Sequence, residues 1–455
     1  MNSVIDFINT HRDRYIDELK GFLAIPSISA LPEHRPDMKR CADWVADEMR
    51  RIGLQNVRLI ETPGFPVVYA DWLGAAGAPT ILLYGHYDVQ PVDPVDLWES
   101  PPFEATVRDG ELYARGAVDD KGQVFMHLKA IEAHMKQHGK LPCNIKIILE
   151  GEEEVGSANL DNFVKDHHDD LKADVVVISD SGMFDHGVPS ICYGLRGLVY
   201  FQIDLRGTKS DLHSGSFGGA VANPNMVLAN VLAQMKDRGG RVKIPGFYDD
   251  VRELTQGEKD QWKRLPFNEK RYAKELGAPR LFGESGYTTL ERVWARPTFE
   301  VNGICGGFTG EGAKTVIPAT AFAKVSMRLV PNQDPDKIAK LFDDYVRKVT
   351  PKSVEIKVTR MHGGKPWMTE LDNRYVQAAG RAIKQGFGKE PVFTREGGSI
   401  PVVATFQEIL GLPSVLFGVG LPDENAHAPN ERLDLGNFHG GVIASAILYD
   451  EIAKG

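Results

Sequence analysis

At 455 residues the chain is longer than one hydrophobic core normally grows, so two domains are expected. The composition is that of a globular protein, 42% hydrophobic and 25% charged, and the formal charge of −9 speaks against nucleic-acid binding, which calls for a basic face. The apolar runs, such as "TILLYG" at 80–85 and "ADVVVIS" at 173–179, fall far short of the ~20 residues that span a bilayer, so no membrane partner is expected.

Residues 1–23 carry Ile5, Ile8, Ile16, Leu19, Phe22 and Leu23 at helical spacing among charges, which predicts one amphipathic core helix rather than a secretory leader. Cys41, Cys143, Cys192 and Cys305 lie far apart and form no CxxC pair, so a reducing compartment, the cytoplasm, is expected. Up to about residue 180, apolar runs "VRLIE", "VVYADW", "TILLYGHYDV", "IKIILEGE" and "DVVVISD" alternate with helical stretches at 36–52, 121–137 and 157–168. Such runs predict a sheet covered on both faces, an α/β domain. From 197 the texture changes to half-wet strands, "LVYFQIDLRG", "TAFAKVSMRLVP" and "SVEIKVTRM", interleaved with helices at "NPNMVLANVLAQM" and "DPDKIAKLFDDYVRKV". Loops and short helices are expected over 244–298, which is charged and weakly periodic. After Trp367 the first texture returns, with helices at 373–386, 401–410 and 436–453 and a strand "PSVLFGVG". The predicted architecture is an α/β domain over 1–196 and 368–455, its mixed sheet sandwiched by helices, interrupted by an inserted α+β domain over 197–367.

Several acids and histidines stand at the ends of apolar strands, where open α/β sheets build their sites. "LLYGHYDVQP" ends on His86 and Asp88, whose i, i+2 spacing points both side chains to one face, so Asp88 is placed to orient the His86 imidazole. "LYARGAVDDKG" sets Asp119 and Asp120 before a helix; "LEGEEEVGS" brings Glu152, Glu153 and Glu154; "VVVISD" ends on Asp180; "DENAHAPNE" adds His427. Singly each has an ordinary reading: a hydrogen-bonded histidine, a helix N-cap, a turn aspartate, a solvated acidic face. Together they form a mixed nitrogen and oxygen donor set of the kind that suits Zn²⁺, Mn²⁺ or Co²⁺, and several carboxylates suggest two metals sharing one acid.

The motifs "GHYDVQP", "LYARGAVDDKG", "EGEEEVGS", "ISD", "DLHSG" and "GGSIP" closely resemble the dinuclear metallopeptidases that include carnosinase, cytosolic nonspecific dipeptidase, aminoacylase and carboxypeptidase G. "KTVIPATAFAKVSMRLVP", "HGGKPW" and "TREGGSIP" resemble the carnosinase-type dipeptidase branch in particular. The resemblance implies hydrolysis of dipeptides or short peptides with a free C-terminal carboxylate, by a water that two divalent metal ions share, Zn first and Mn or Co next. It implies His86, Asp119 and Asp180 on one metal, Asp119, Glu154 and His427 on the other, Glu153 as general base and Asp88 steadying His86. The Asp119–Asp120 peptide is then expected to be cis. His213 in "DLHSG" is implied to bind substrate or oxyanion from a partner subunit, and Arg328, His362, Arg395, Gly397, Gly398 and Ser399 to bind substrate. The inserted domain is implied to be a lid and the contact of a homodimer. One departure stands out: the branch carries an aromatic shortly after the "ISD" aspartate, where this chain has "ISDSGMF", so no side-chain preference is carried over. A deacylase of N-acyl amino acids on the same scaffold is the nearest rival; a metal-dependent phosphohydrolase would show more Lys and Arg around the metals, and its expected motifs are absent; a non-catalytic binding or dimerisation scaffold would have lost ligands that are all present.

Overall fold

The computed structural model describes residues 1–398 and 400–454; Ser399, one of the implied substrate-binding residues, lies outside the described residues. The chain forms two compact units, one of Met1–Tyr193, Thr369–Thr394 and the residues from Thr405 on, the other of Gly194–Met368 with Arg395–Ala404.

The sheet of the first unit runs in the order Gln55–Ile60, Val67–Trp72, Asn144–Glu150, Thr80–His86, Val175–Ile178, Ser414–Leu416, Ser190–Leu195. Its middle is parallel, with Leu83 level with Ile147 on one side and Val177 on the other, and Ser414–Leu416 continues it beside Val175–Ile178. The outer pairings, Val67–Trp72 with both neighbours and Ser414–Leu416 with Ser190–Leu195, are antiparallel, which makes the sheet mixed. Val67–Trp72 and Val175–Ile178 are buried at every position, as expected of strands covered on both faces. Helix Lys121–His138, buried from Lys121 to His134, packs with Asn2–Thr10, Arg12–Leu23 and Leu435–Ala453, and Leu435–Ala453 packs with Arg374–Phe387.

Three expectations are corrected. The single helix over 1–23 is two, Asn2–Thr10 and Arg12–Leu23, because the His11 N–H is shared between the carbonyls of Phe7 and Ile8 and its Nδ1 also meets Phe7 O at 2.8 Å, tightening the chain there. The helix over 401–410 is an α-turn at Pro401–Thr405 followed by a π-helical stretch at Phe406–Leu410. The "PSVLFGVG" strand shrinks to Ser414–Leu416, because the residues after it run close beside Ser181 and Gly182 with only an isolated parallel bridge from Gly182 to Gly420: a Cβ on Gly418 would lie 1.9 Å from Ser181 O.

The second unit is built on a four-stranded antiparallel sheet ordered Thr298–Gly306, Thr320–Leu329, Gly197–Arg206, Glu355–Gly364. Gly197–Arg206 alternates buried and half-buried residues, and its inner face, Val199, Phe201, Ile203 and Leu205, packs with Phe342 and Val346 of helix Pro335–Val349 and with Val227, Leu228 and Val231 of helix Pro224–Ala233. The edge strand Thr298–Gly306 has no counterpart in the sequence reading, since most of its side chains are exposed and Gly303 and Gly306 dilute its pattern.

One charged network lies inside the first unit. Lys129, fully buried, points its ammonium at Glu18, at Glu48 (2.6 Å) and at Glu132 (3.0 Å), while Arg51 and Arg14 close the ring around the same acids. A buried ammonium that loses a partner costs far more than the pair contributes. Glu132→Ala is therefore expected to lower the free energy of unfolding by about 3 kcal/mol. Urea denaturation checks this, and an unchanged midpoint would show the network to be dispensable.

Candidate metal centre

Neighbouring strands of the first unit's sheet deliver their carboxyl ends to one place. Thr80–His86 ends on His86; Asn144–Glu150 leads into the turn holding Glu153 and Glu154; Val175–Ile178 is followed by Asp180; the loop after Ser414–Leu416 carries His427. Asp119 and Asp120 precede helix Lys121–His138 and are joined by a cis peptide, as the resemblance implies. Close approach of that helix to the His86 strand requires Gly85, where a Cβ would lie 2.4 Å from Val124 Cγ2 and 2.8 Å from Asp120 Oδ2.

The two oxygens of Asp119 face different histidines: Oδ1 lies 3.1 Å from His86 Nε2 and Oδ2 lies 2.8 Å from His427 Nε2. Two donor groups result, each with its ligand atoms within 4.8 Å of one another: His86, Asp119 and Asp180, and Asp119, Glu154 and His427. His427 adopts φ of 63°, a left-handed conformation unusual for a side-chain-bearing residue, and its Nε2 also lies 3.4 Å from Glu154 Oε2. A third acidic group, Glu18, Glu48 and Glu132, already surrounds the Lys129 ammonium and belongs to the ion-pair network.

Asp88 does two things. Its main-chain oxygen lies 3.1 Å and its Oδ1 3.4 Å from His86 Nδ1, while its Oδ2 accepts the Glu154 N–H at 3.1 Å. The sequence reading foresaw the first contact and not the second. It also missed Gln90, whose Nε2 donates to Glu154 Oε2 at 2.8 Å, and, while naming Asp120, the contact by which Asp120 Oδ2 accepts the His86 N–H at 3.3 Å. Gln90 continues the i, i+2 series from His86 through Asp88, which is the signal that could have found it. Of the glutamate triplet, Glu152 turns away to take both amide contacts of Asn159, at 2.9 and 3.1 Å.

The electrostatics are those of crowded acids. Burial opposes the ionised form of Asp119, but hydrogen bonds with His427 and His86 outweigh it and hold the carboxyl well below the usual range. Its neighbours move the other way: burial, with the Asp119 charge beside them, pushes Asp120 and Glu154 up to about 8 and Asp180 well above the carboxylate range. Glu153 is also raised, by burial and then by Asp119 and Asp88. His427 is held up to about 9, chiefly by its bond to Asp119. A centre of imidazole nitrogens and carboxylate oxygens, without thiols, whose acids repel one another in a buried place fits divalent cations.

The remaining expected residues belong to the second unit. His213 caps its own short helix, Nδ1 accepting the N–H groups of Gly215 (3.1 Å) and Ser216 (3.2 Å), which leaves the ring proton on Nε2. Arg328 is half-buried on its strand between Thr298 and Leu198, and burial lowers its pKa. His362 is exposed on the edge strand and stacks on Tyr200 at 5.0 Å. Arg395, implied to bind substrate, is fully buried, paired with Glu258 and set 5.5 Å over the Trp262 ring. The Gly397 and Gly398 carbonyls accept from Arg196, through Nε at 3.0 Å and through the backbone N–H at 3.2 Å.

Removing cations should expose the crowding as a pH dependence. Asp120 and Glu154, raised to about 8, keep protons in the folded state at pH values where the unfolded chain has released them, so folding loses stability as pH climbs toward 8. His427, at about 9 when folded, is protonated more strongly in the folded state and acts in the same direction. In excess chelator the melting temperature is expected to fall steadily from about pH 5.5 to about pH 8.5, and saturating divalent cation should abolish the fall. Parallel profiles with and without cation would contradict the centre.

Residues 82–449 match Peptidase family M20/M25/M40. The chain is 34% identical to Cys-Gly metallodipeptidase dug1 of Schizosaccharomyces pombe, over all of this chain and 98% of that one. The crystal structure of human carnosine dipeptidase 1 superposes with a TM-score of 0.84 at 33% identity, covering 100% of this chain and 99% of that chain. An M20 family metallo-carboxypeptidase from Sulfolobus solfataricus gives 0.85 at 35% identity, covering 97% and 99%. No helix among the described residues is long and apolar enough to cross a membrane. With near-complete coverage on both sides and the donors of a divalent-metal centre gathered at the sheet's carboxyl edge, the chain belongs to peptidase family M20/M25/M40, in its carnosinase-type dipeptidase branch, and is a peptidase.

Proposed function

We propose that the protein hydrolyses the peptide bond of dipeptides or short peptides with a free C-terminal carboxylate. The observation that carries this is the Asp119 carboxylate, each of whose oxygens meets a different histidine and thereby joins two donor groups. His86, Asp119 and Asp180 would hold one divalent cation and Asp119, Glu154 and His427 a second, with Zn²⁺ the first choice and Mn²⁺ or Co²⁺ next. Bound there, the cations would supply Lewis-acid chemistry, acidifying a water and polarising the scissile carbonyl. Glu153, whose basicity burial and the Asp119 and Asp88 charges raise, takes the proton of that water and returns it to the leaving amine. Asp88 orients His86 and holds the Glu154 backbone. His213, with Nδ1 engaged by its own helix, has an Nε2–H donor suited to an oxyanion, and Arg328, His362, Gly397 and Gly398 are assigned to substrate binding. Arg395 is assigned there only through its segment, since its charge is answered by Glu258.

The relatives named for Cys-Gly and β-Ala-His dipeptidase activity support a dipeptide as the substrate class. Work in the cytoplasm and a homodimer through the inserted domain complete the proposal.

Glu153→Gln is expected to keep its metal and lose about a thousandfold in kcat, whereas Asp119→Ala should lose metal as well. Metal analysis beside steady-state kinetics decides, and a Glu153→Gln variant with near-wild-type turnover would sink the assignment. Ala-Ala should be hydrolysed and N-acetyl-Ala should not; the reverse preference would make the protein a deacylase.

A further inference from the structure

Two loops must be held together for Asp119 to meet both histidines: residues 114–119, which end on it, and residues 421–430, which carry His427. They leave neighbouring strands, since Arg432–Asp434 pairs antiparallel with Glu111–Tyr113 and Leu433 lies opposite Leu112. Between the loops stands Glu431, fully buried. Its carbonyl accepts the Ala114 N–H at 3.1 Å. Its carboxylate takes four donors, all from residues 115–119. Oε2 accepts from Arg115 Nη1 at 2.6 Å and from the Gly116 N–H at 3.0 Å; Oε1 accepts from the Val118 N–H at 3.0 Å and the Asp119 N–H at 3.2 Å. The last of these is the backbone of the shared acid itself.

We propose that Glu431 is a positioning residue: by collecting the N–H groups of Gly116, Val118 and Asp119 on one carboxylate, it sets the Asp119 side chain where the two donor groups meet and ties that loop to the one bearing His427. Backbone N–H groups in an irregular buried loop need acceptors, and a carboxylate with two oxygens is able to serve three of them together with a guanidinium. Arg115 answers the charge of Glu431 and leaves the carboxylate as an acceptor. Glutamine at 431 would keep the size but replace one oxygen by an NH₂ group, which cannot accept, so either the Gly116 pair or the Val118 and Asp119 pair would lose its bonds. No proton transfer is assigned to Glu431; it acts through Asp119.

The proposal rests on two cations sharing Asp119, and the test separates the two ideas. Metal-stripped full-length protein is titrated with Co²⁺, followed by calorimetry and by the visible absorption of the bound ion. Wild type is expected to take two ions per chain. Glu431→Gln, folded by circular dichroism, is expected to bind at least about tenfold more weakly, with an altered absorption band. Arg115→Lys, which disturbs the ion pair and spares the three backbone bonds, should lower the melting temperature while keeping affinity within about threefold of wild type. A purely structural Glu431 would instead lower the melting temperature in both variants and leave both affinities unchanged. Should Glu431→Gln not fold, Glu431→Asp, one carbon too short to serve both pairs of donors, carries the same measurement with the same expected loss. Two ions bound with wild-type affinity and spectrum by either Glu431 variant overturn the role of Glu431 alone. Fewer than two ions on wild type overturn the shared-cation reading and the role of Glu431 with it.

Discussion

Asp119 offers each of its carboxylate oxygens to a different imidazole, and the surrounding acids take their character from that arrangement. The histidine contacts keep Asp119 ionised where burial alone would neutralise it. Burial first, and then the charge so fixed, raises the acids near it, so Asp120, Glu154, Glu153 and Asp180 all move upward while Asp119 moves down. Opposed shifts among touching groups mark places built for chemistry, because ordinary packing avoids assembling several carboxylates away from water. Divalent charge reverses the balance, turning mutual repulsion into shared attraction.

Geometry at the sheet edge makes the arrangement attainable. Parallel strands end side by side, and their register brings His86 level with Glu150. The turn following Glu150 separates the three glutamates: Glu152 leaves toward Asn159, Glu153 lies among the charges of His86, Asp119 and Asp88, and Glu154 reaches His427 and Gln90. A straight strand would have sent Glu152 and Glu154 to one face and Glu153 to the other. Closure of helix Lys121–His138 onto the His86 strand then depends on a missing side chain at Gly85.

Legibility in the sequence followed the physics of each feature. Strands buried on both faces announce themselves as unbroken apolar runs, so Val67–Trp72 and Val175–Ile178 were plain. The edge strand Thr298–Gly306 was not, because most of its side chains face water and two glycines interrupt it. The break at His11 escaped notice because the apolar spacing runs straight through it and only a local carbonyl contact gives it away. Ligand-type residues were legible because histidines and acids at strand ends are chemically conspicuous. Glu431 and the contacts of Gln90 and Asp120 were less so, since each acts on an amide or carboxylate partner that its own residue type does not announce. Arg395 shows the converse: a guanidinium in a recognisable motif, whose partner Glu258 stands far away in sequence and is not foreseen from it.

A common device underlies the residues that were hidden. Loops at the carboxyl ends of parallel strands leave backbone N–H groups without strand partners, and in this unit buried carboxylates collect them. Asp88 takes the Glu154 N–H, Asp120 that of His86, Glu431 those of Gly116, Val118 and Asp119, and Glu424 those of Leu421 and Asp434. Each acceptor is a carboxyl with two oxygens to offer, and each bond stiffens a loop that packing alone would leave loose. The same choice has an electrostatic consequence. Once ionised, the carboxyls used as loop fasteners add negative potential around the donor groups, which makes the metal-free protein the state with most to lose as pH rises.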